Sequence, residues 1–459
     1  MVRLNAGAAL PPHVKGPAYD RAVQKAGIVH FGIGAFHRAH QAVYTDDAMN
    51  AGDRDWGIIG VSLRSGDVAA QLNPQDGLYT VTEKSGVGNS TRLIGSMQHV
   101  LVAAQERAHV VAALAAPASQ IISFTITEKG YCRTGDGSLD FAQAGAGSVY
   151  AYLAEGLAAR QAAGGGGLTL LSCDNLAENG RQLEALLGQY LAQHDPALAR
   201  WVAETCAFPC TMVDRIVPAT TAQDRAEIAA ALGGITDEGA VVTEPFSQWV
   251  IEDAFAGPRP RWQVGGAQFT ADVRAFETAK LRMLNGAHSA LAYLGLARGA
   301  DYVHQAIADP ALRPLIEALM RDEAAPSLTP APGQDLNAYA DALLARFANP
   351  ALNHKLSQIA MDGSQKIPQR WLATLAHHQA AGRHCPAILS ALAAWIAYVK
   401  GDGHKVDDPM AAPLAALWRE AGRDGILNAL FGAQGLFAQY WVADAADIAT
   451  LNRALAVSC

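Results

Sequence analysis

The stretch "KLRMLNGAHS", residues 280–289, sets Lys280, Asn285 and His288 close together, with Glu277 three residues ahead of the lysine. Side chains of these types can manage one proton between them. A deprotonated amine can take the hydroxyl proton of a secondary alcohol while the carbinol hydrogen departs as hydride. An amide N–H can hold the oxygen as charge develops on it, an imidazole can orient a hydroxyl, and a carboxylate can relay the proton outward. A lysine in water, with a pKa of about 10.4, stays protonated at neutral pH and cannot serve as the base. Desolvation can bring it to about 7–8, a change worth roughly 4 kcal/mol, which a partly dry cleft can supply. A preorganised donor to the developing oxyanion contributes about 3–4 kcal/mol in the transition state.

Such a set needs an element that presents it on one side. At about 100° per residue, an α-helix places Lys280 at 0°, Glu277 near roughly 60°, His288 near roughly 80° and Asn285 near roughly 140°. Leu281, Met283 and Leu284 fall mostly elsewhere. The plain alternative is an amphipathic helix whose polar arc meets water. The continuation "LNGAHSALAYLGLA" is too apolar for a freely exposed face, so the arc predicts a cleft. Asn175 is a second candidate donor. It ends the segment "LTLLSCDN", which reads as a strand, and ligands of open α/β sheets sit at the carboxyl edge. The competing reading is an ordinary turn, for which Asp-Asn is suitable chemistry.

The first half of the chain supplies the sheet. "GIVHFGIGAF" (27–36), "WGIIGVSLRS" (56–65), "QIISFTITEKG" (120–130) and "LTLLSCDNLAENG" (168–180) are short apolar runs ending in polar residues or glycine, as buried parallel strands do. Alanine-rich stretches between them, such as "HVLVAAQERAHVVAALAA" (99–116), are expected to be helical, and "AGGGG" (163–167) to be a turn. The alternation predicts an α/β fold with a doubly wound, Rossmann-type sheet. In "HFGIGAFHRAH", Gly32 and Gly34 follow the first strand and match two-thirds of the G-x-G-x-x-G dinucleotide fingerprint. Gly32 would permit the tight turn and Gly34 the close approach of a pyrophosphate, with Ala35 and Phe36 opening the helix whose N–H groups face it. The third position is His37, which prevents strand and helix from packing as closely as glycine would allow. The second strand ends at Arg64 and Ser65, which would admit the 2′-phosphate of NADP; the alternative is a solvated turn.

From roughly Thr270 onward the sequence reads as successive helices, with proline-bearing breaks near 309–314, 325–332 and 349–350. The expected division is therefore a dinucleotide-binding domain over 1–270 and a mainly α-helical substrate and catalytic domain over 271–459. Half of the 459 residues are apolar, 17% are charged and the net charge is −8, a balance that argues against a nucleic-acid partner. No run reaches about 20 apolar residues, so no membrane span is expected, and no secretory signal is expected at the N-terminus. Six sparse cysteines fit a reducing, cytoplasmic setting. Cys206 and Cys210 lack a second pair at ligand spacing, and His37 and His40 lack a third ligand nearby, so no metal site is expected. That disfavours a zinc-dependent dehydrogenase; a non-catalytic nucleotide sensor on the same fold is the other alternative.

"GIGAFHRAHQAVYTDD", "TEKGYC", "SCDNLAENG", "TMVDRIVPAT", "EPFSQWVIED" and the K-x4-N-x2-H pattern of Lys280, Asn285 and His288 together resemble the mannitol dehydrogenase family of polyol-specific long-chain dehydrogenases, nearly end to end. The resemblance implies a Rossmann-type N-terminal domain, a mainly helical C-terminal domain and metal-independent, NAD-linked oxidation or reduction of a sugar alcohol, sugar acid or ketose. Carried over residue by residue, it implies Lys280 as the general base or acid and Asn175 with Asn285 as the oxyanion hole. His288 would position substrate, Glu277 would lie on the proton path and Asp214 of "MVDRI" would line the substrate site. Lys366 of "MDGSQKIPQR" would bind the far end of the substrate. Gln358 stands where mannitol 2-dehydrogenases tend to have an arginine, and several motifs look more like those of fructuronate reductases. The implied substrate is therefore the D-mannonate/D-fructuronate pair, with a neutral polyol such as mannitol, sorbitol or arabinitol as the alternative. The resemblance also implies NAD over NADP and a monomer.

Overall fold

Six residues from Ala26 to Phe31 form the strand (β1) on which the first half is organised, and the computed structural model describes residues 2–351 and 353–458 around it. β1 pairs in parallel with β2 (Gly57–Ser62) on one side, and β2 pairs in turn with β3 (Met97–Val102). On its other side β1 pairs with β4 (Ile121–Phe124), which carries β5 (Thr169–Ser172). The order β3–β2–β1–β4–β5 matches five of the six strands of a Rossmann sheet, and the strand order reverses at β1. Both faces of these strands are covered, which is why β4 and β5 are buried at every position, their few polar residues being the small Ser123, Thr169 and Ser172.

One expected helix is shorter than its composition suggests. Residues 97–102 are a sheet strand, and the helix occupies only Arg107–Ala115. Val100, Leu101 and Val102 pair with β2 and are buried, and such residues suit a pleated, enclosed position; the alanines that follow have no such partner. The "AGGGG" segment is a turn before β5, and a side chain on Gly167 would collide with the Thr205 carbonyl. A hairpin of Tyr79–Ser85 and Gly88–Ile94 is inserted between β2 and β3. A further small sheet joins β6 (Thr211–Asp214) antiparallel to β7 (Gln248–Glu252), with β8 (Gln268–Thr270) parallel to β7.

The chain divides into two compact units at 274/275. The second is helical and built around a core that includes the fully buried Leu291, Ile316, Trp371, Leu392, Trp395 and Leu430. A helix of Gly286–Ala297 packs on Pro386–Tyr398, which packs on Ala445–Ser458. Among the described residues, three π-turns interrupt this unit: Lys280–Asn285, Leu319–Ala324 and Pro368–Leu372. The cause of the last is local, because Pro368 has no N–H to give and its ring crowds the carbonyl four residues earlier. No helix among the described residues is long and apolar enough to cross a membrane.

Candidate active site

The loop after β1 has the conformation its glycines allow. Gly32 has φ +94°, and a Cβ there would lie 2.1 Å from the Thr125 carbonyl oxygen, so only glycine fits. At Gly34 a Cβ would meet nothing within 4 Å, so this position borders open space. The short helix α1 (Ala35–Ala39) starts immediately after it with no side-chain cap, leaving Ala35 and Phe36 at the mouth of the loop. His37, in place of the third glycine, is buried with its ring stacked on His30 at a centroid distance of 3.4 Å. His30 is itself held by Ser123 Oγ at 2.8 Å and Thr125 Oγ1 at 2.9 Å. Burial drives both imidazoles far below their ordinary pKa, His30 to about 3, so they are neutral packing groups at physiological pH. His40 turns its Nε2 to the Gln248 carbonyl at 3.0 Å.

Asn175 lies three residues past the end of β5 and is exposed at the carboxyl edge of the sheet. Its neighbours immobilise that exit. Asp174 accepts from the N–H groups of Ile126 and Thr127 at 3.0 and 2.9 Å and from the Tyr131 hydroxyl at 2.9 Å, tying the β5 exit to the β4 exit. Asn179 Nδ2 donates to the Asp174 carbonyl at 2.9 Å. Asp214 ends β6 and is buried, opposite Gln248. Arg64 and Ser65 are both exposed beyond β2; the Ser65 hydroxyl is engaged by Asp67, donating to its carboxylate at 2.5 Å and accepting its N–H at 3.0 Å.

In the second unit, the regular α-helix expected through Lys280 is absent. Glu277 lies in a helical segment ending at Ala279, Lys280 and Asn285 are the first and last residues of the π-turn, and His288 lies in the α-helix that follows. A ladder that closes every five residues brings positions 280 and 285 nearer to one face than the α-helical angles do. Lys280, Asn285 and Glu277 are half-buried. His288 is buried, 5.2 Å from the His354 ring in a T-shaped contact and 4.8 Å from that of Phe347. Burial, then the charges of His354, Arg346 and Arg370, hold its pKa well below the usual imidazole range. A neutral ring can both donate and accept one hydrogen bond.

Lys366 lies in the short helix Gly363–Ile367, its Nζ turned to the Met361 carbonyl and, at 3.5 Å, to that of Ile359. Burial and the nearby Arg370 lower its pKa, against Asp362 and Asp408. Gln358 is exposed on the preceding turn. Two cations in this region escaped the reading of the sequence, Arg346 and Arg370. Arg370 had a usable signal: it is four residues beyond Lys366, the spacing of a shared helical face.

The profile of the mannitol dehydrogenase Rossmann domain matches residues 26–264, and that of the mannitol dehydrogenase C-terminal domain matches residues 272–449. The chain belongs to the mannitol dehydrogenase family. Members of this family are oxidoreductases, and this chain is 43% identical over 447 residues to the D-mannonate oxidoreductase of Escherichia coli (strain K12), covering 93% of this chain and 91% of the relative. It is 39% identical over 426 residues to a mannitol 2-dehydrogenase of Phaeosphaeria nodorum, covering 88% and 75%. Among solved structures, a substrate-free D-sorbitol dehydrogenase superposes with a TM-score of 0.91 at 31% identity, covering 100% of this chain and 97% of the other. The Pseudomonas fluorescens mannitol 2-dehydrogenase ternary complex with NAD and D-mannitol gives 0.79 at 36% identity, covering 99% and 96%.

Proposed function

We propose that this chain is a metal-independent, NAD-dependent dehydrogenase that interconverts a secondary alcohol and a ketone of a sugar acid, of the D-mannonate/D-fructuronate type. The observation that carries the proposal is the placement of Lys280 and Asn285 at the two ends of one π-turn, with a neutral His288 in the next turn. π-turns concentrate at functional positions because they cost stability relative to a regular helix.

NAD, when bound, would supply the acceptor for the hydride of the alcohol and, in its reduced form, the hydride for the ketone. The loop of Gly32, Gly34, Ala35 and Phe36 fits such a dinucleotide, since the first glycine accommodates the turn and the second borders open space where a diphosphate can approach. Exposed Arg64 and Ser65 leave room for NADP as a second cofactor. In the oxidative direction, neutral Lys280 takes the hydroxyl proton as the carbinol hydrogen leaves with its electron pair. In reduction, the lysine ammonium returns that proton to the oxygen. The amides of Asn285 and Asn175 donate to the oxygen while it carries charge, each such donor contributing about 3–4 kcal/mol. His288 orients a neighbouring hydroxyl, Glu277 passes the proton to solvent, and Asp214 binds substrate hydroxyls.

The acid end of the substrate calls for cations, and Lys366 and Arg346 supply them in the second unit. The 43% identity to a D-mannonate oxidoreductase supports the same choice. A neutral polyol is the second reading, favoured by one observation: Lys366 already directs its amine to two backbone carbonyls. Turnover of D-fructuronate, D-fructose and D-xylulose with NADH and NADPH separates them. The proposal expects the highest kcat/KM with D-fructuronate and NADH; activity with the neutral ketoses alone overturns it. In the same assay Lys280→Ala should lose turnover by orders of magnitude yet keep cofactor binding, which a non-catalytic sensor would not register. We place the enzyme in the cytoplasm, a reading supported by the free cysteines at 132, 173, 206, 210 and 385, and propose that it acts as a monomer.

A further inference from the structure

Two of the widened turns in the second unit touch, and the side chains joining them are consecutive. Arg370 Nη1 donates to the Asn285 carbonyl at 3.2 Å, and Trp371 Nε1 donates to the Gly286 carbonyl at 3.1 Å. Arg370 Nη1 also reaches the buried Ser289 hydroxyl at 2.7 Å, one turn further along. Residues 370 and 371 belong to the π-turn Pro368–Leu372, and residue 285 closes the π-turn Lys280–Asn285. One widened turn thus supplies donors to carbonyls at the exit of the other. Trp371 is fully buried, so its indole cannot move away without opening the core.

We propose that Arg370 is the positioning residue for Asn285. An extra residue in a helical ladder is tolerated only where outside groups satisfy the displaced backbone. The guanidinium, planar and rigid, fixes the backbone at 285 and the side chain at 289 together, which a flexible ammonium cannot do. Without it the segment can relax toward α-helical register, and the direction of the Asn285 amide changes relative to Lys280. Arg370 remains a cation at neutral pH, although burial brings its pKa down to about 10, and its charge also helps keep His288 neutral.

The inference rests on the assignment of Asn285 as an oxyanion donor, and a double-mutant cycle keeps the two apart. Steady-state kinetics would be measured for wild type, Arg370→Lys, Asn285→Ala and the double variant, with NADH and the ketose turned over in the panel above, alongside thermal unfolding. Arg370→Lys keeps charge and much of the volume, so it preserves folding where Arg370→Ala does not. Displacing a reacting group by about 1 Å costs on the order of 100-fold in rate, so Arg370→Lys should lower kcat by about that factor with KM for NADH unchanged. In the Asn285→Ala background the same substitution should cost almost nothing, because the group it positions is gone. Equal losses in both backgrounds, or a wild-type kcat for Arg370→Lys, overturn the positioning role. A wild-type kcat for Asn285→Ala would instead remove the oxyanion assignment on which it rests.

Discussion

Replacing Glu323 with glutamine should abolish a pH dependence of stability that this one carboxyl creates. Glu323 lies in the π-turn Leu319–Ala324, which packs against the turn carrying Lys280. Its carboxylate accepts the N–H groups of Ala387 and Ile388, each at 2.7 Å, and so closes the N-terminus of helix Pro386–Tyr398. Burial nevertheless raises its pKa from the ordinary 4.5 to about 7, the two N–H bonds offsetting only part of the desolvation. The folded state therefore holds this proton more tightly than the unfolded chain does. Stability from this group is complete below pH 4.5, declines as pH rises toward about 7, and is constant above it. The difference between the two ends is roughly 3 kcal/mol. Glutamine cannot ionise, but it presents an NH2 to one of the two N–H donors and gives up about 1 kcal/mol at every pH. Urea unfolding of both proteins at pH 5 and pH 8 gives the test, with hydrogen exchange of residues 386–398 as the local readout. Wild type should lose roughly 2–3 kcal/mol more than the variant between the two pH values, the remainder being lost already below pH 5. An equal change in both proteins, or a wild type that gains stability relative to the variant toward pH 8, would refute the reasoning.

Gly32→Ala should lower stability by on the order of 1–3 kcal/mol, the cost of a side chain at a positive-φ position before the clash with Thr125 is counted, and weaken cofactor binding by displacing the loop. Gly34→Ala should leave thermal stability unchanged and still weaken NADH binding, both read by NADH fluorescence titration; unaltered binding in the two variants would contradict the diphosphate loop. The depressed pKa of His288 means that no imidazole step near pH 6.5 in the kcat/KM profile should disappear in His288→Gln. A step near that pH that the variant lacks would contradict the neutral, enclosed ring.

Much of this molecule follows from short-range patterns. Predominantly apolar runs of four to six residues separated by helical segments are enough to predict the Rossmann sheet, because a strand enclosed on both faces lacks the regular polar alternation of one that meets water. The spacing of Lys280, Asn285 and His288 likewise singles out one segment before any coordinates exist, since side chains of that chemistry are costly on an apolar helix unless something uses them. Periodicity cannot reveal what depends on distant partners. Residues 97–102 are a strand because β2 lies beside them, despite an alanine-rich continuation that favours helix. His37 is accommodated in place of glycine because His30, on the adjoining strand, offers a face to stack on. The π-turn that brings Lys280 and Asn285 toward one side is held by Arg370 and Trp371, 85 residues away in sequence. Helical propensity depends on a residue and its near neighbours, whereas the register of an unusual turn depends on which donors the folded core delivers to its carbonyls, and only the packed structure sets that.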